Sequence, residues 1–90
     1  MSEPLELTLE LVEELKALVL FDLEVNRQGI KVHKTASAET IAAVKRLYAK
    51  GLITQVDGGY LTPMGIEAAE ATHRVVGLLK SGEAAKIAQV

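Results

Sequence analysis

Between residues 26 and 56 the chain carries six cationic side chains, Arg27, Lys31, Lys34, Lys45, Arg46 and Lys50, against a single acid, Glu39. The local charge is +5, inside a 90-residue chain whose formal net charge is −2. Cations at that density suit phosphate, so these residues are candidate contacts to the backbone of double-stranded DNA. The plainer alternative is that long Lys and Arg side chains decorate solvated helix faces. Other chemistry has little to work with. There is no cysteine, hence no disulfide framework, thiolate metal site or cysteine nucleophile. His33 and His73 stand without a Cys or paired acid at metal-ligand spacing and read as solvated histidines. Glu13, Glu14, Glu67 and Glu70 read as helix-surface acids. Gly58-Gly59 lacks the Gly-Lys-Ser/Thr of a phosphate loop. No metal, cofactor or enzymatic activity is expected.

The elements that must position the cations follow from composition and period. At 49% hydrophobic, with three aromatics and no Trp, the core is aliphatic and mostly helical. A chain this short buries only about 60 to 65% of its unfolded surface. The start, MSEPLELTLE, is acidic, and no apolar run approaches a membrane span, so a cytoplasmic location without signal peptide or membrane partner is expected. One domain is expected over residues 1–80, with a tail at 81–90.

Thr8 caps a helix at 9–20 whose apolar face is Leu11, Val12, Leu15, Leu18 and Val19. Residues 21–29 read as a loop or one helical turn. IKVHK alternates, giving a strand at 30–34 with Ile30 and Val32 inward. Ser37 opens a helix at 38–50 with Ile41, Val44, Leu47 and Tyr48 inward; Glu39, Ala42, Arg46, Ala49 and Lys50 lie outward with Lys45 beside them. Gly51 stops that helix in a left-handed conformation. Strands at 52–56 and 60–61 close a hairpin around Asp57-Gly58-Gly59, with Tyr60 packing across it. Thr62-Pro63 opens a last helix that ends near Lys80, with Ser81-Gly82 as its stop.

That last helix is apolar on two sides. Ile66, Ala69, His73, Val76 and Leu79 make one stripe; Ala68, Ala71, Val75 and Leu78 make a second. A lone domain needs one buried face, so the second stripe is the expected homodimer interface, unless the first helix wraps around it.

The order helix, strand, helix, hairpin, helix resembles the winged-helix class: mainly α with a small β-hairpin, helix-turn-helix-like, with an abbreviated wing. The stretch VKRLYAKGLITQVDGGYLTPMGIEAA, residues 44–69, is similar to the end of the recognition helix, the wing and the following helix of MarR-type and PadR-type transcription regulators. Their R-L-x-x-K-G-L-I and L-T-x-x-G-x-x-A patterns are carried by Arg46, Leu47, Lys50, Gly51, Leu52 and Ile53, then Leu61, Thr62, Gly65 and Ala68. With GIKVH and GLITQVDGGYLT, the whole chain also resembles a small bacterial family of unassigned function, some of whose members are described as DNA-binding.

The resemblance implies a DNA-binding transcription regulator whose helix before Gly51 enters the major groove. The sequence departs from that pattern in three places. The outward helix face holds Ala42, Ala49 and Glu39 where Asn, Gln or Arg would read bases. The wing tip is acidic at Asp57, and the segment before Thr40 is extended, so that the usual supporting helix is absent or displaced to residues 22–28. Lys45, Arg46 and Lys50, with Lys31, Lys34 and Arg27, are therefore expected to grip phosphates with poor base discrimination. The competing expectation is a winged-helix dimerisation or protein-interaction module that does not touch nucleic acid.

Overall fold

The computed structural model describes residues 6–21 and 29–89, with side chains of the last helix as far as Gly82. Arg27 lies outside the described residues, as does the rest of 22–28. The elements are α1 (Leu9–Val19), β1 (Ile30–Lys31), α2 (Ala38–Ala49), β2 (Ile53–Gln55), β3 (Gly58–Leu61) and α3 (Pro63–Gln89). The chain is thus mainly helical with a small antiparallel sheet, and no described helix is long and apolar enough to cross a membrane.

Local punctuation sets the helix ends. Thr8 Oγ1 accepts from the Leu11 N–H at 3.1 Å, and Ser37 Oγ accepts from Thr40 N–H at 3.1 Å. Each satisfies a donor that the first helical turn leaves orphaned. At the end of α2, Leu52 N–H donates to Leu47 O and Gly51 N–H to Tyr48 O, both at 3.0 Å. This is the Schellman arrangement, with Gly51 at φ 80° as its left-handed residue. Thr62 Oγ1 then accepts from Gly65 N–H at 3.1 Å and donates to Gly51 O at 2.7 Å, tying the start of α3 to the end of α2.

The hairpin supports a third strand. The sheet order is β1-β3-β2, with Ile30 opposite Gly59 and Lys31 opposite Gly58. The expected strand at 30–34 is shorter in the structure, because its partner β3 begins at Gly58; Val32 N–H makes one more bond in the same register, to the Asp57 carbonyl at 2.8 Å, where the hairpin turn starts. The glycines read as a turn lie within β3. A Cβ on Gly58, whose φ is 130°, would strike the Ile30 carbonyl, so glycine there is what lets β1 close on β3.

The core joins Ala17 and Leu18 of α1, and Phe21 just beyond its end, to Val44 and Leu47 of α2, Ile53 of β2 and Ala69 of α3. Ile30, Val32, Leu52, Leu61 and Ala68 pack against it. Gly65 is buried because the Leu52 carbonyl occupies the space a Cβ would take. Tyr48, expected inward, is 46% exposed, while Ala43 is fully buried. Tyr60 is exposed, its ring lying beside Gly29. Nor does α3 stop at Ser81-Gly82: neither residue interrupts the helix, which absorbs the expected tail and runs to Gln89. Glycine weakens a helix interior by about 1 kcal/mol without ending it.

Candidate nucleic-acid interface

The five candidate cations among the described residues separate into two groups, according to whether they pair with α1. Glu14, expected on a helix surface, is 5% exposed where α1 meets α2. Its Oε2 accepts from Arg46 Nε at 2.6 Å and its Oε1 accepts from Lys50 Nζ. Arg46 Nη2 also donates to the Glu10 carbonyl at 3.0 Å. Arg46 and Lys50, partly exposed, are therefore engaged by a buried acid, which corrects their expected placement on an outward face free to grip phosphates. The physical reason is the packing of α1 on the Ala43 side of α2, where a small buried residue allows close approach.

Burial alone would raise the pKa of Glu14. Hydrogen bonds from Lys50 and then Arg46, with the positive charge of both, outweigh it and hold the carboxyl below its ordinary value.

The other three described cations, Lys31, Lys34 and Lys45, lie off the side of α2 that meets α1. Lys34 and Lys45 line a groove of about 230 Å³ with Val32, His33, Ile41, Val44, Val56 and Asp57. Lys31 lines the neighbouring groove, which shares His33 and Val32 with the first. Here the chain leaving β1, the side of α2 away from α1, and the hairpin turn converge. Lys31, Lys34 and Lys45 are exposed, and none has an ion-pair partner among the described residues. The floor is apolar; the rim offers three ammonium groups, one imidazole and the Asp57 carboxylate.

His73 is held in the structure, contrary to the expected solvated histidine. Its Nε2 lies 3.0 Å from the Phe21 carbonyl, and the Nε2–H tautomer donates to it, joining α3 to the end of α1. His33 is exposed as expected. Among the described residues no three of His, Cys, Asp and Glu gather where they could hold a metal ion. Of the expected dimer face, Ala71, Val75 and Leu78 are exposed, whereas Ala68 packs half-buried against the core.

A family model described as a family of unknown function (DUF5669) matches residues 5–80. The chain belongs to that family. No curated protein and no solved structure matches it. The match spans α1 through most of α3, so the Glu14 clasp and the Lys31, Lys34 and Lys45 edge both lie within the DUF5669 region. Sequence reasoning missed Glu14 because an acid inside an apolar helix face signals burial only when its cationic partners are known, and those are 32 and 36 residues away.

Proposed function

We propose that the chain is a cytoplasmic winged-helix DNA-binding protein of the transcription-regulator kind, which holds duplex phosphates through Lys31, Lys34 and Lys45 and discriminates bases weakly. The observation that carries this reading is the convergence of Lys34 and Lys45 on one groove beside the hairpin turn, on the side of α2 that α1 leaves free. The element order and the β1-β3-β2 sheet support the winged-helix reading of that site. Weak discrimination follows from residue types. Ala42 and Ala49 share the side of α2 that carries Arg46, where Ala42 lines a groove with Leu9, Glu10 and Glu13 of α1, and can at most touch a thymine methyl, while the ammonium groups of the lysine groove suit phosphate oxygens.

Titration against random and genomic duplexes at low and moderate salt tests the reading. Weak, salt-sensitive and sequence-tolerant binding is expected. A second reading, a protein-interaction module that leaves nucleic acid alone, is favoured by one observation: Glu14 takes up Arg46 and Lys50, two of the five described candidate cations. No binding at low salt decides for it.

A further inference from the structure

The side chains along one exposed side of α3 follow a regular spacing. Met64, Ala68, Ala71, Val75, Leu78 and Gly82 recur at alternating intervals of four and three residues. That average of 3.5 keeps a stripe in line along a helix that packs lengthwise on another. Met64, Val75 and Leu78 are 56%, 54% and 65% exposed and Ala71 is exposed, so these positions are apolar surface that the chain's own core leaves uncovered, with Ala68 half-buried at the edge of that core. Farther along, a Cβ built on Gly77 or Gly82 would meet nothing within 4 Å, yet the helix continues to Gln89. Isolated helical segments of about 12 residues are marginal in water.

Charge identifies the occupant. Glu67 and Arg74 lie seven residues apart on the same flank of the stripe, both exposed and without an ion-pair partner among the described residues. Consider a second copy related by a two-fold axis, its α3 antiparallel, with Ala68 set against Ala71 of the second copy. The same operation places Met64 against Val75 of the second copy and Glu67 against Arg74 of the second copy, and repeats each contact by symmetry. The alanines allow close approach at the crossing, and the larger side chains flank it. Parallel helices would instead set Glu67 and Arg74 against the positions of Thr72 and Leu79, which offer no opposite charge. We propose that α3 is an antiparallel, isologous homodimer interface centred on Ala68 and Ala71 and fixed in register by two Glu67–Arg74 ion pairs.

Light scattering and sedimentation of the full chain without nucleic acid test this independently of any DNA binding. The unaltered protein is expected to be dimeric at micromolar concentration. Arg74→Glu, which turns both ion pairs into repulsions, is expected to weaken the dimer by about tenfold or more. Adding Glu67→Arg restores opposite charges and is expected to restore the dimer. Both substitutions are on exposed helix positions, so folding is retained and is checked by circular dichroism. Because the chain has no cysteine, orientation is read separately: Met64→Cys and Val75→Cys proteins, mixed and oxidised, are expected to form the mixed disulfide. A monomer at hundreds of micromolar, an Arg74→Glu dimer as tight as the parent, failure of the reversed pair to rescue, or Val75→Cys linking only to itself would overturn the proposal.

Discussion

Arg46 Nε of α2 lies 2.6 Å from Oε2 of Glu14 in α1, and this contact, shared with Lys50, clasps the two helices across a buried carboxylate. A buried acid removed from its cations, or cations left without their acid, is costly, so the clasp couples the packing of α1 on α2 to ionisation. Because the folded pKa of Glu14 is depressed, its stabilisation is fully present above the ordinary glutamate range. That contribution is lost as pH falls through the lower folded value.

Glu14→Gln therefore lowers stability at neutral pH, by about 1–3 kcal/mol, because it removes charged hydrogen bonds within a buried site. It also flattens the acid limb of the melting profile. Thermal unfolding of both proteins across the acid range checks this; an equally steep acid limb in the variant would show that other carboxylates carry it.

Glycine substitutions separate close approach from simple flexibility. Gly65→Ala drives a Cβ into the Leu52 carbonyl, and Gly58→Ala meets both the Ile30 carbonyl and a φ of 130°. Each is expected to destabilise by about 1–3 kcal/mol. Gly77→Ala has open space and helical backbone, so it is expected to stabilise by about 0.5–1 kcal/mol. Denaturant midpoints that rank the three alike would refute the assignment of Gly58 and Gly65 to backbone contacts.

These positions also show what the sequence makes legible. Thr8, Ser37, Gly51 and Thr62 act on atoms within a few residues, so the three helix starts and the end of α2 can be read from local chemistry. The strand β1 can also be read, from the alternation of Ile30 to Lys34, but its place in the sheet cannot, because its pairing with Gly58 and Gly59 joins residues nearly thirty positions apart. Periodicity likewise placed Arg46 and Lys50 opposite the apolar residues of α2, but it does not reveal that α1 covers that side. The charge excess of residues 26–56 pointed to the candidate interface; the division of its cations required the tertiary position of Glu14. Ser81-Gly82 misled because small residues accompany helix ends without causing them when the backbone stays helical.

Asp57 tests the role of the hairpin. Its carbonyl accepts from Val32 N–H, and that backbone bond survives any change of side chain. Asp57→Asn removes an anion from the rim of the lysine groove without removing a contact, so duplex affinity is expected to stay equal or rise slightly. A marked loss of binding with the fold intact would mean that the turn itself grips nucleic acid.

The division of the cations makes the final prediction a contrast between neighbours. Lys45 is exposed in the groove with Lys34, while Arg46 has 31% side-chain exposure and is bound to Glu14. Lys45→Ala is expected to weaken duplex binding by a similar factor for every sequence, since it removes a phosphate contact. It should leave the melting temperature nearly unchanged. Arg46→Ala is expected to do the reverse, lowering stability through the orphaned Glu14 and leaving affinity nearly unchanged in the folded fraction. With Lys31, Lys34 and Lys45 supplying about three phosphate contacts per protomer, a dimer releases about six counterions, giving a log-log salt slope near −5. Lys45→Ala removes one contact from each protomer and reduces that slope by about 2. Affinity measured against salt for both variants, with melting curves alongside, distinguishes the two roles. If Arg46→Ala reduced the slope and Lys45→Ala did not, the phosphate-binding side would be the one facing α1, and the proposed interface would be wrong.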